Sequence, residues 1–207
     1  MLDSECMDGA SPRKLRLFAV ACCRRIWRHL ADARSKEAVD RAEEYAEGKL
    51  DAERLRFSMS AAWDAYLTQD EAALHASRGA ALVADAAPGF AAREAADAAI
   101  AATVCDPDDP EEDHVFQAII LRDIFYNPFR PVSITPDWLT PTETSLARAA
   151  YDERSLPSGE LDLARLAVLS DALEEAGCDD ADILNHLRSL GPHVRGCWVV
   201  DLLLGKE

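Results

Sequence analysis

The sequence has no glycine-rich phosphate loop, no G-x-S-x-G elbow and no H-E-x-x-H pair. Those absences remove the commonest local signatures of nucleotide, serine-hydrolase and zinc-protease chemistry. No apolar run approaches the length of a membrane span. The opening "MLDSECMDGA" is polar and acidic, so no secretory signal is read there. The expectation is a cytoplasmic chain whose six cysteines are reduced thiols. Valine, isoleucine and threonine are sparse, which argues against sheet. Basic charge is also short, with a formal net charge of −16. A chain this acidic repels nucleic acid and anionic membranes unless a local patch reverses the sign.

What remains is alanine and helical period. The 207 residues are 49% hydrophobic and 29% charged, enough to bury a core. Alanine is frequent and favours helix. Ser11-Pro12 reads as an N-cap and first helical turn. From there Leu15, Phe18, Cys22, Ile26 and Leu30 make one apolar stripe running to about Ala31, with Arg24 and Arg28 opposite. Ser35 reads as the cap of a second helix that ends at Gly48. Further helices are expected from Asp51, over "DEAALHASRGAALVADAA", and after Pro88. Their small faces suit close helix packing. Lone His75 reads as a surface or packing residue.

The acid-rich "CDPDDPEEDH" invites a calcium reading but lacks the glycine and ligand spacing of an EF-hand. Asp109 as cap and Pro110 in the first turn suffice to explain it. The helix that follows should bury Phe116, Ile119, Ile120 and Ile124. Prolines 128, 131, 136 and 141 then forbid regular helix, so residues 127–141 are expected as an irregular strap carrying Phe129 and Trp138. Helices resume near Thr142, after "SLPSGE", and over "DDADILNHLRSLG". The tail at 193–204 reads first as helix, with a strand as the alternative. The expected fold is therefore an all-α bundle of about eight to ten helices. It is read as one domain over 1–207, with a possible subdivision into 11–126 and 142–207.

Two features carry functional expectations. Residues 1–36 hold a charge of +4 against −20 for the rest. Arg13, Lys14, Arg16, Arg24, Arg25 and Arg28 are the candidate surface for an acidic partner. The plainer alternative is that this helix faces the chain's own acidic remainder. The second feature is "GCDDADILNHLRSLGPHVRGCW", with Cys178, His186, His193 and Cys197 at Cys-x7-His-x6-His-x3-Cys. These are zinc-ligand types in a non-standard spacing. On a helix His193 and Cys197 would share a face and could grip one ion, but on a strand they would lie about 13 Å apart and could not. Ordinary burial of the thiols is the competing reading. The histidines could also act as acid or base beside Asp171, Glu174 or Asp201.

The phrases "RKLRLFAVACCRRIW", "LRDIFYNPFRPV", "YDER", "LSDALEEAGC" and "GPHVRGCWVVDLLLGKE" resemble a family of uncharacterised proteins abundant in planctomycete bacteria such as Gemmata. The resemblance touches both ends and the middle; residues 40–110 match only in alanine-rich character. It implies many paralogues and related segments joined to other modules, hence an adaptor role by association. Two departures stand out. Family members usually begin some residues earlier, so the resemblance leaves open whether the native start lies upstream of Met1. They also read "AHCR" where this chain has "NHLR", which places Leu187 where they carry cysteine. The leading expectation is a helical interaction module without catalysis or cofactor, having a protein partner or self-association. The alternative is a zinc-binding structural domain.

Overall fold

A computed structural model describes residues 10–68, 71–104, 112–126 and 132–206. Among them are ten α-helices, two 3-10 turns and one isolated β-bridge, Glu160 with Val194. The all-α expectation is met. Cys6, Cys105, the acid-rich stretch with Asp109 and Pro110, Pro128, Phe129 and Pro131 lie outside the described residues. The chain divides into two compact units, Met1–Ala118 and Ile119–Glu207.

The first unit holds α1 (Pro12–Arg25), α2 (Ala33–Ala46), α3 (Ala52–Tyr66), α4 (Glu71–Leu82) and α5 (Pro88–Val104). It also holds the start of α6 (Glu112–Phe125), within which the division falls. α1 packs mainly on α5 and α2, and α4 on α5. Every residue of α1 from Leu15 to Arg24 is buried, so the single apolar stripe expected from the sequence gives way to a helix enclosed all round. α1 also stops at Arg25, short of Ala31, because Trp27–His29 tightens into a 3-10 turn. Asp32, rather than Ser35, caps α2: its carboxylate accepts the Arg34 N–H at 2.8 Å. Asp51 caps α3 as expected.

The alanine-rich faces do bring helices close. A Cβ added at Gly79 on α4 would stand 2.9 Å from the Ala98 Cβ of α5 and 3.8 Å from the Cys23 sulfur of α1. Only hydrogen fits there without movement. Ala38, Ala62 and Ala81 form a neighbouring cluster roofed by Trp63.

The second unit holds the rest of α6, then α7 (Pro141–Asp152), α8 (Leu163–Glu175), α9 (Ala181–Leu187) and α10 (Trp198–Leu204). α7 packs on α8 and α10, and α8 on α9. Three caps set the helix starts. Thr140, Asp162 and Asp180 each accept a backbone N–H of the first turn. The core is built from Leu166, Leu169, Leu173, Ile183, Leu187, Val199 and Val200, all essentially inaccessible. Val132, Ile134 and Trp138 lie partly buried against it. The described part of the proline-rich segment thus straps the core, with Pro136–Trp138 as a 3-10 turn.

Candidate metal centre

The sequence places one carboxylate where none belongs. Along α6, Ile120 and Ile124 are fully buried, and Asp123 shares their side of the helix at 2% exposure. A buried carboxylate must find donors or a cation. Its donors come from the C-terminal corner. α9 ends just after His186. The chain then turns back through Gly191, whose φ of +69° is in the left-handed region. A Cβ at Gly191 would also stand 2.9 Å from the His193 nitrogen. The turn is pinned from the other side. The Leu161 N–H donates to the His193 carbonyl at 2.8 Å, and Val194 bridges Glu160.

The result is a knot of four side chains. Asp123 Oδ1 lies 2.6 Å from His193 Nδ1 and 3.1 Å from His186 Nε2. Asp123 Oδ2 accepts the Val194 N–H at 2.9 Å. Cys197 Sγ lies 3.3 Å from the same His186 Nε2. The four ligand atoms are all within 4.8 Å of one another. The Ser189 hydroxyl stands between His193 Nε2 at 3.0 Å and the His186 carbonyl, to which it donates at 2.8 Å. The His186 ring is steadied by Trp198, at 5.1 Å between ring centres, and by His193 at 4.8 Å.

Burial sets the electrostatics. It would push the Asp123 carboxyl up, but the hydrogen bonds from His186 and His193, with their charges, outweigh it and hold the group below the usual carboxylate range. Cys197 is fully enclosed; burial first, and the Asp123 charge second, push its thiol well above the ordinary range. A thiol so placed is not a free nucleophile. Nor do Cys197, His186 and Asp123 form a relay, because thiol and carboxylate both address Nε2 of one ring.

Of the four ligands expected from the sequence, His186, His193 and Cys197 come together and Cys178 does not. Cys178 follows α8, where its N–H closes the helix on the Leu173 carbonyl at 2.9 Å and its side chain joins the apolar core. Asp123 stands in its place. The His193–Cys197 pairing does not come from a shared helix face either: α10 begins only at Trp198. A turn achieves it, with the Cys197 N–H donating to the Val194 carbonyl at 2.9 Å. Asp171 and Glu174 are engaged by Arg188, and Asp123 is the carboxylate that meets the histidines. Sequence reasoning passed over it, though a charged residue between Ile120 and Ile124 was the available signal.

The basic residues of α1 are mostly engaged inside their own unit. Arg16, 3% exposed, donates to the Val83 and Asp85 carbonyls, both at 2.7 Å. Arg24, 5% exposed, meets Glu43 at 2.6 Å and Asp40 at 2.8 Å. Arg13 pairs with Glu47 at 2.9 Å, and Arg25 lies over the Phe116 ring. Lys14 is half-buried and Arg28 is exposed. Arg16 and Arg24 are therefore struck from the candidate docking surface, since burial closes them to any partner. The facing of α1 toward acidic side chains is the plainer of the two expectations. No helix among the described residues is long and apolar enough to cross a membrane. No protein family, curated protein or solved structure matches the chain.

Proposed function

We propose that the second unit is a metal-binding domain, with a divalent transition ion, zinc foremost, held by Asp123, His186, His193 and Cys197. The observation that carries this reading is the convergence of one carboxylate, two imidazoles and one thiol on a common point. Tetrahedral zinc places its nitrogen and sulfur ligands about 3.3–3.6 Å apart, given its bond lengths. Of the six separations, those of 2.6, 3.1 and 3.3 Å would open by less than about 1 Å to admit an ion, and the others, which reach at most 4.8 Å, would close by about 1 Å or less.

Charge and protons both favour it. A dication balances one carboxylate and one thiolate, leaving a neutral buried centre. With metal on His193 Nδ1, the ring keeps its proton on Nε2 and donates it to Ser189 Oγ. The Ser189 proton in turn serves the His186 carbonyl, so the His193 and Ser189 donors both have an acceptor. Asp123 can bind the ion through Oδ1 while Oδ2 keeps the Val194 N–H. The ion would fasten α6 to the C-terminal corner.

The interaction-module expectation is left with the charge asymmetry of the chain, and the side chains that would carry it are largely occupied. Elemental analysis of untagged protein, purified without added zinc, is the direct test. About one equivalent is expected, lost to a strong chelator; less than about a tenth of an equivalent, both as purified and after dialysis against zinc, overturns the reading.

A further inference from the structure

The four ligand side chains are not held alike. Asp123 and His193 are each 2% exposed at the side chain and Cys197 is fully enclosed, whereas the His186 side chain is 17% exposed. Each of the three buried ligands has a second hold. Asp123 Oδ2 accepts the Val194 N–H, His193 Nε2 meets the Ser189 hydroxyl, and the Cys197 N–H donates to the Val194 carbonyl. His186 differs. Asp123 and Cys197 both address its Nε2, and among the described residues its Nδ1 makes no hydrogen bond. Metal-bound imidazoles are ordinarily fixed through the nitrogen that does not bind. Ring packing takes that place here. The His186 ring lies 5.1 Å from the Trp198 ring, which lies 4.2 Å from the Tyr126 ring. His186 also borders two cavities, of about 140 and 510 Å³. Asp123 and His193 border only the smaller of these and Cys197 neither, while Trp198 and Tyr126 border the larger.

Resting on the metal reading above, we infer that His186 is the exchange ligand of a closed four-ligand site, and that Trp198, backed by Tyr126, is the positioning residue that sets how fast the ion enters and leaves. The ion exchanges when the His186 ring swings out; the other three ligands stay in place. The larger cavity, beside the ring, is the space it turns into. The Trp198 contact joins ring to ring and spends neither nitrogen of His186, so it is made alike with and without the ion. It must be broken for the ring to swing in either case. Removing it therefore raises the entry and exit rates by one factor and leaves their ratio, the dissociation constant, unchanged. A contact that merely held the loaded site together would move the exit rate and the dissociation constant together.

Cobalt(II) is the probe, because its thiolate charge-transfer band reports the bound ion. Stopped-flow mixing of the full chain with cobalt gives the entry rate, and mixing of the loaded chain with ethylenediaminetetraacetate gives the exit rate. For the wild type the exit rate should level off as chelator rises, because ring opening then limits it. Trp198→Leu should raise both rates about fivefold, mid-range for one aromatic contact, with the dissociation constant held within about twofold. Trp198→Phe keeps a ring and should restore most of the slowness. If Trp198→Leu does not fold, Tyr126→Leu removes the backing ring and should raise both rates about twofold, while Tyr126→Phe should not. An exit rate that climbs in proportion to chelator throughout overturns the gate, since the chelator then reaches the ion directly. Unchanged rates, or a faster exit with an equally weakened dissociation constant, overturn the positioning role and leave the metal reading standing. Failure of the wild type to bind cobalt overturns the metal reading itself.

Discussion

Replacing Asp123 with asparagine separates the metal from the fold. The carboxylate accepts three hydrogen bonds, from His193, His186 and the Val194 N–H. An amide keeps an oxygen for Val194 and turns its NH2 toward the histidines. Imidazole can answer by moving its proton to the other nitrogen. The metal-free D123N chain should therefore fold, at a cost of about 1–3 kcal/mol for the lost charge-assisted bonds. The ion loses more, because the buried set then carries an uncompensated positive charge. For the wild type, zinc at a hundred times its dissociation constant adds about 2.7 kcal/mol. The second unit has 89 residues. For that size each kcal/mol moves the midpoint by about 4–8 °C, so zinc should raise it by about 11–22 °C. Scanning calorimetry of chelated and zinc-loaded samples gives the comparison. The D123N variant should start lower and show almost no zinc-dependent rise. A rise equal to that of the wild type would refute the placement of Asp123 in the coordination sphere.

Three further outcomes follow from the same contacts. Cys178→Ala should retain about one equivalent of zinc while Cys197→Ser weakens binding at least about tenfold, by competition with a colorimetric chelator; loss of zinc in Cys178→Ala would reinstate the cysteine that the fold sets aside. Arg16→Met strips the buried Val83 carbonyl and the half-buried Asp85 carbonyl of their donor. It should cost about 2–4 kcal/mol in urea unfolding, and a loss under about 1 kcal/mol would show that water replaces the guanidinium. Gly79→Ala sets helix propensity, worth about 1 kcal/mol, against a Cβ placed 2.9 Å from Ala98. Overpacking costs about 1–3 kcal/mol, so a net loss is expected, and a raised midpoint would refute the close approach.

The helices were legible because their punctuation is local. Pro12, Asp51, Pro88 and the aspartates before α9 act within one turn, and one turn of sequence suffices to read them. α1 misled because Arg16 and Arg24 look like a solvated face. Their partners, Val83, Asp85, Asp40 and Glu43, come from elsewhere in the unit, and charge pairing of that kind leaves no trace in helical period. The four-residue knot was half legible. His186, His193 and Cys197 sit close in the chain, and so does Cys178, but nearness in sequence says nothing about which side chain turns inward. Asp123 lies 63 residues before His186. Only tertiary packing joins them, though its polarity amid isoleucines was a usable hint.

That separation gives the centre a topological side. An ion gripped by Asp123 and His186 would close a ring through the proline-rich strap, α7 and α8, leaving the polypeptide threaded as a loop rather than a line. A crosslink of that span restricts an otherwise open random chain by about 4 kcal/mol in chain-entropy terms. Denatured polypeptide still holding its ion would then be a lariat, more compact than the same chain in chelator. Its denaturant dependence should be correspondingly shallower, since less surface is left to expose. In that sense the last coordinating residues would govern the dimensions of the unfolded ensemble as well as the folded one.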